Sequence, residues 1–373
     1  FVVDKTDLAL PARIPITIQR TYRSEGAARG LFGIGWNLGI YDSTIALRGQ
    51  GPSLTLILAD QSTYLLTQAG SEWRNTGEPF LRGAIVTALP GDFNFQVRYK
   101  DGTVHRYERI EGFLAAALAS ITDRNGNTLT IRRAGGLFVR RITQIVEPAG
   151  RAMAFAYDAD ERITSITDPL NRVVRYTYDA DGRLETVTDA ASGVTRYTYD
   201  AGHRILTITD ARGITYLSNE YDVAGRVVRQ TQADGGVWRF DYVVPAPAQS
   251  VSAMALPAPA PRVRSRHASS SDTPPAYAHA SWRTRPLTIR RLQAPPGMQR
   301  PPLLFQPPPA TPRFAFGVTT PPPPASTTVT DPRGHATTYR FNAGGFTLSE
   351  TDALGQTTTY AYDPATNHLQ SVR

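Results

Sequence analysis

Aspartates recur along this chain at a fixed interval, and a row of carboxylates is the first pattern that could do chemistry. Asp168, Asp189 and Asp210 stand 21 residues apart, each behind a threonine (Thr167, Thr188, Thr209). Asp331 and Asp352 repeat that spacing behind Thr330 and Thr351. Such carboxylates could bind calcium or pair for acid–base catalysis. The glycine-aspartate nonapeptide that binds calcium is absent, however, and this period puts each aspartate at the same turn of a different unit. Turn capping is the expected role. The six histidines (105, 203, 267, 279, 335, 368) are scattered without metal-ligand spacing, and there is no cysteine. Gly-x-Ser-x-Gly, His-Glu-x-x-His and phosphate-binding glycine loops are missing as well. No catalytic, cofactor-binding or metal residue is assigned, no cofactor is expected, and the chain is not expected to be an enzyme.

Two further phases run at the same period. Tyr157, Tyr178, Tyr199, Tyr221 and Tyr242 follow at intervals of 21, 21, 22 and 21 residues, and Tyr362 stands 21 after Phe341. Arg162, Arg183, Arg204 and Arg226 each lie five residues beyond a tyrosine. Self-similarity at this period is the signature of a repeat architecture. Within one copy, Val173 to Tyr178 alternates as a half-buried strand does, and Ile163 to Thr167 reads as a shorter strand. Asp168-Pro-Leu-Asn and Asp179-Ala-Asp-Gly carry strong turn chemistry. Each repeat therefore reads as strand, turn, strand, turn. One such hairpin is marginal alone in water, so neighbours must pair edge to edge into a growing antiparallel sheet that twists and curls.

The stretch Tyr178-Asp-Ala-Asp-Gly-Arg-Leu-Glu-Thr-Val-Thr-Asp189 resembles the YD repeat of Rhs proteins, which also occurs in insecticidal toxin-complex components, bacterial wall-associated proteins and animal teneurins. The resemblance covers about residues 155–243 and 327–373. A second one lies at the N-terminus. Thr6-Asp-Leu-Ala-Leu-Pro11, Ile16-Thr-Ile-Gln-Arg-Thr-Tyr-Arg-Ser24 and Gly30-Leu-Phe-Gly-Ile-Gly-Trp36 are similar to the domain that opens the shell of bacterial Rhs proteins. Together they imply a bacterial Rhs core whose repeats form a hollow β-shell around a C-terminal toxin, delivered by contact or by type VI secretion. Toxin-bearing members carry an Asp-Pro-x-Gly signature linked to self-cleavage. Asp331-Pro-Arg-Gly334 matches those four positions but sits in an ordinary repeat turn without the rest of the signature, so no catalytic role is carried over.

The fold expected is thus all-β: consecutive antiparallel hairpin repeats forming part of a curved β-shell. Its divisions are a shell-opening β domain at 1–120, YD repeats at 121–243, an insert at 244–326 and resumed repeats at 327–373. In the opening domain, Gly33, Gly35 and Trp36 place a large aromatic after a tight turn. Trp36 could meet a ligand; a core plug is the preferred reading. Asp101-Gly reads as a two-residue hairpin turn, Asp123 as a degenerate first repeat, and Phe113 to Ile121, with its alanines, as the one place for a short helix. The insert holds 20 of the 29 prolines and nine arginines against one acid, Asp272. That composition predicts disorder with local polyproline II.

The net charge of +8 resides in that insert, and elsewhere 31 basic and 31 acidic residues cancel. A nucleic-acid surface is therefore not expected, and no apolar run is long enough to cross a bilayer. With Phe1 first and a repeat interrupted at Arg373, the sequence reads as a fragment of a longer chain. Two functions from different classes fit. The leading one is an encapsulation module of a polymorphic toxin, made in the bacterial cytoplasm and then secreted or displayed. Its expected partners are the toxin in cis and secretion-machinery proteins. The alternative is an adhesion or carbohydrate-binding module in which exposed tyrosines meet a cell surface; a packed tyrosine ladder is preferred.

Overall fold

Alternation of apolar and polar residues carries through into strands. The computed structural model describes residues 1–24, 29–47, 53–58, 62–75, 77–110, 113–134, 141–244, 324–363 and 369–373. Among them the only helical pieces are two short 3-10 turns, Ile40–Asp42 and Pro79–Leu81. None is long and apolar enough to cross a membrane.

The chain opens with β1 (Val2–Leu10) and β2 (Ile16–Arg23), the small pair β3 (Arg29–Gly30) and β4 (Gly33–Ile34), and β5 (Trp36–Leu38). Strands β1, β2 and β5 form a three-stranded opening sheet. Next come β6 (Thr44–Leu47), β7 (Leu54–Ile57), β8 (Thr63–Ala69), β9 (Glu72–Arg74) and β10 (Ile85–Leu89). They continue into β11 (Asn94–Arg98), β12 (Val104–Arg109) and β13 (Ala115–Thr122). This group closes on itself, because Ala116 of β13 stands opposite Ile45 of β6. The second half of β13 instead pairs β14 (Thr128–Ala134), with Ile121 opposite Leu129. The wall leaves the barrel there.

It then grows strand by strand. β15 (Arg141–Val146), β16 (Ala152–Tyr157), β17 (Ile163–Thr167), β18 (Val173–Tyr178) and β19 (Leu184–Thr188) come first. β20 (Val194–Tyr199), β21 (Ile205–Thr209), β22 (Thr215–Tyr221), β23 (Val227–Gln232) and β24 (Val237–Val243) follow. β25 (Ser326–Thr330), β26 (Ala336–Phe341), β27 (Thr347–Thr351), β28 (Thr357–Tyr362) and β29 (Leu369–Val372) complete it. Cross-strand partners keep one face buried from β13 to β21: Leu118, Leu129, Ile145, Met153, Ile166, Val174, Val187 and Ile208. The buried face of the repeats thus continues the barrel interior, and the opposite face continues its outside.

One bulge per repeat bends this wall. Thr177 and Tyr178 of β18 oppose Thr186 and Leu184, which leaves Glu185 as the extra residue. The same slip leaves out Thr164, Leu206 and Val228. A bulge raises the local twist and bends the strand that carries it. The single 22-residue interval also has a cause: a second slip, between Thr209 opposite Thr215 and Ile208 opposite Leu217, admits Tyr216.

Two sequence expectations are corrected here. The proposed helix at Phe113 to Ile121 is the strand β13, held by β12, β6 and β14 at once. Tertiary pairing overrides alanine's helix propensity, and small side chains suit a crowded branch point. The turn at Asp101-Gly102 is a three-residue loop, Lys100 to Gly102, closed by the Tyr99 amide on the Thr103 carbonyl (2.8 Å). The proline-rich stretch from 245 to 323 lies outside the described residues, and with it the expectation of disorder. Its flanks pair directly: Val243 stands opposite Ser326 and Arg239 opposite Thr330, so the sheet runs across the insertion.

Candidate functional site: repeat joints and the opening-sheet dock

Each turn is built around a carboxylate. The Asp179 side chain accepts from the Asp181 and Arg183 amides (3.1 and 2.9 Å) and from Arg183 Nε (2.7 Å). Asp158 with Arg162, Asp200 with Arg204 and Asp222 with Arg226 repeat the pattern. On the other rim Asp168, Asp189, Asp210, Asp331 and Asp352 accept amides two and four residues on. Side chain and loop conformation cooperate, because the third loop residue sits at positive φ (Gly182 at 80°), a region glycine enters without strain. The Arg212 guanidinium and the turn amides hold Asp210 below its usual carboxylate pKa. Burial opposes ionisation of Asp168, but hydrogen bonds from Arg172 and the loop amides outweigh it and the pKa falls.

Tyrosine and arginine meet between successive hairpins. Within a hairpin the strands stay paired up to the turn, as Tyr178 opposite Leu184 shows. Between hairpins, β17 and β18 pair only from Ser165 to Thr167, and the rim beyond is splayed. Tyr178 fills that wedge. Its hydroxyl donates to the Ile163 carbonyl (2.6 Å), and the Arg162 guanidinium covers its ring at 4.4 Å. The clasp recurs as Tyr199 on Leu184 with Arg183, Tyr221 on Ile205 with Arg204, and Tyr242 on Val227 with Arg226. Tyr157 donates to Ile142 beneath Arg141, an arginine outside the expected set. Burial pushes these phenols upward in pKa, so each remains a donor. Tyr362 has the Phe346 ring beside it (5.2 Å) where earlier copies place arginine.

At the insertion the wedge is closed. The Phe341 amide donates to the Ala325 carbonyl (2.9 Å), and β25 and β26 pair along their whole length. The copy without a tyrosine hydroxyl is therefore the copy in which backbone satisfies the carbonyl.

The opening sheet and the β3–β4 pair dock on the buried face at these same rims. Leu31 accepts from the Ile163 amide (2.9 Å), and the Ile34 amide donates to the Gly182 carbonyl (3.3 Å). The Tyr22 hydroxyl donates to the His203 carbonyl (2.8 Å) and accepts from the Ile205 amide (3.0 Å). Trp36 is fully buried, its Nε1 donating to the Tyr199 hydroxyl (2.8 Å). Gly33 has φ +85°, and a Cβ there would stand 2.5 Å from the Gly182 carbonyl oxygen. Gly35, at φ +78°, lies against the Tyr22 ring.

The centre of the dock was not singled out by spacing. Arg20 and Asp7 form a buried ion pair (2.5 Å), and the Tyr176 hydroxyl donates to Asp7 (2.8 Å). Phe32, Trp36, Tyr176 and Tyr197 ring the guanidinium at 4.8 to 5.9 Å. A signal existed: Arg20 occupies the buried phase between Ile18 and Tyr22, where an unpaired charge would be costly. The repeat positions are thus brought into contact in series, and the opening motif meets two of them, Tyr178 beside Gly33 and Tyr199 at Trp36. Among the described residues no three His, Asp or Glu side chains cluster as a metal site would need. His105, His203 and His335 lie in separate places, while His267, His279 and His368 fall outside the described residues.

Comparison with known proteins agrees with this geometry. Residues 157–192 and 178–215 match the RHS Repeat family model, and residues 1–66 match a domain of unknown function, DUF6531. These matches and the joints define the class, a β-shell module built from RHS repeats. The chain carries RHS/YD repeats over residues 157–215. Among solved structures, TcdB2-TccC3 is 11% identical with a TM-score of 0.38, over 94% of this chain and 15% of that one. The chain therefore spans about 15% of the length of that relative. The N-terminal domain of effector protein SpvB from Salmonella typhimurium strain LT2 is 12% identical with a TM-score of 0.32, over 55% of this chain and 98% of that one. The Photorhabdus luminescens Tc holotoxin pore is 11% identical with a TM-score of 0.33, over 100% of this chain and 18% of that one. The search of curated proteins found no match.

Proposed function

We propose that this chain is a containment wall: an encapsulation module that sequesters a C-terminal toxin in cis until delivery. The observation that carries the reading is the wedge at each repeat joint. A bulge in successive copies and a splayed rim between their hairpins make a wall that curves as it lengthens. The opening sheet seats on the inner face and caps part of it. Solved toxin assemblies stand among the similar structures by their printed names. Synthesis in the bacterial cytoplasm, export by a contact-dependent or type VI route and contact with secretion machinery belong to the same reading. The role is structural, not catalytic. Adhesion through the tyrosines is disfavoured, because the five tyrosines from Tyr157 to Tyr242 are committed to joints. Limited proteolysis of the longer polypeptide that contains this chain tests the proposal. The segment downstream of the repeats should survive while the wall is intact and be cut once denaturant opens it. Equal cleavage in both states would refute containment.

A further inference from the structure

The inner face of the wall changes character along its length. Where the opening sheet docks it is apolar: Ile163 and Ile166 of β17, Leu184 and Val187 of β19, and Ile205 and Ile208 of β21 are all buried. Beyond β21 the equivalent positions turn polar. Asn219 stands where earlier copies carry Tyr176 and Tyr197, and Gln230 where they carry Ile166, Val187 and Ile208. In β27 both positions change, to Thr347 and Glu350. Register keeps these side chains on the inner face: Thr347 stands opposite the buried Phe341, and Glu350 opposite the buried Tyr339. Thr327 lies between Tyr242 and Tyr339. The polar groups are only partly satisfied. Gln230 Nε2 donates to Asn219 Oδ1 (2.7 Å), but Gln230 Oε1, Thr327 Oγ1 and Thr347 Oγ1 are buried without a hydrogen-bond partner among the described residues. Glu350 accepts from the Tyr339 and Tyr360 hydroxyls (3.3 and 3.4 Å), and no cation pairs with it among the described residues. Unpaired polar groups weaken a wall that could have repeated its apolar residues, so this stretch is shaped for a polar partner.

We infer that the polar stretch of the inner face, from β22 to β28, is a track that holds an extended basic segment of the enclosed polypeptide, anchored at Glu350. The inference rests on the containment reading, which brings a polypeptide to this face, and adds what that polypeptide must carry there. Gln230, Thr327 and Glu350 lie on alternate strands, roughly 10 Å apart. The track is therefore roughly 20 Å long and spans about six residues of extended chain. A peptide backbone brings donors and acceptors together, which suits an amide oxygen and two hydroxyls left unpaired. A lysine or arginine of the segment meets the Glu350 carboxylate, already oriented by its two tyrosines, in a charge-assisted hydrogen bond. The apolar half of the face is taken by the opening sheet, which leaves the polar half to the cargo.

Fluorescence anisotropy of the full chain tests the track, with a labelled octapeptide of alternating arginine and serine set against one of alternating glutamate and serine. The basic peptide should bind, weaken with salt and outcompete the acidic one. Glu350→Gln keeps the side-chain shape and removes the charge. With an unchanged circular dichroism spectrum it should bind the basic peptide about tenfold more weakly. Should that variant not fold, Glu350→Val, which restores the residue type of Val329 in the preceding copy, should show the same loss. Glu185→Gln, which removes an exposed carboxylate of β19, should leave the affinity unchanged. Absent binding, equal binding of the two peptides, or a loss at Glu350 no larger than that at Glu185 overturns the inference. Peptide binding reads the track alone, whereas failure of containment shows in proteolysis of the downstream segment, so the two readings fail separately.

Discussion

At Tyr178 one phenol ring fills the gap between two hairpins, its hydroxyl on the Ile163 carbonyl and its face under Arg162. The two contributions can be separated. Tyr178→Phe keeps the plug and loses the hydrogen bond, which should cost about 1 kcal/mol. Tyr178→Ala leaves a hole and should cost about 3–5 kcal/mol in urea unfolding. A loss under about 1 kcal/mol for the alanine variant would mean that the ring does not hold the joint. The loop position gives a prediction of opposite sign. Ser192 is held at φ 69°, where the equivalent turns at Asp210, Asp331 and Asp352 carry Gly213, Gly334 and Gly355. Relief of that strain makes Ser192→Gly stabilising by about 0.5–1 kcal/mol, read as a raised urea midpoint.

At the scale of elements, period-two alternation and turn chemistry are local, and they were legible. Val173–Tyr178 and Ile163–Thr167 are strands with those bounds. What depends on distant partners was not. The Arg20 guanidinium lies beside the Tyr197 hydroxyl across 177 residues of sequence, and no spacing rule reaches that far. Alanines at 115–117 read as helix because their strand partners, near Thr44 and Arg109, cannot be seen locally. The bulges show only as a period of 21, and the tyrosines' partners are carbonyls, which no side-chain pattern reveals. Two experiments belong to this scale. Deleting 246–323 should leave the β-sheet circular dichroism and the melting temperature nearly unchanged, because β24 and β25 pair across the insertion; loss of folding would show that the insert is structural. Gly33→Ala forces a Cβ against the Gly182 carbonyl at positive φ. It should cost about 2 kcal/mol or more and make the opening sheet the first segment cut by protease.

Across the whole molecule the turn carboxylates act together. Asp101, Asp123, Asp168, Asp210 and Asp331 all have folded pKa values below 3.8. The folded chain therefore binds fewer protons than the unfolded chain near that pH. Their stabilisation is present above about pH 4 and is lost as pH falls through the folded values. Burial lowers His105 from 6.5 to about 4, which adds a shallower loss that begins below pH 6.5. Melting temperature measured from pH 7 to 2.5 should decline gently and then steeply below pH 4, and His105→Leu should remove the gentle part. A melting temperature that stays level to pH 2.5 would contradict the turn-capping role.

Curvature is what joins these scales, since a wall that bends at every joint can surround something. Electron cryomicroscopy of this chain together with the C-terminal toxin that the proposed function assigns to it tests that most directly. A continuous curved wall, with the opening sheet on its inner side and density enclosed within, is the predicted result. A flat or open sheet with the downstream segment lying outside it would contradict the account.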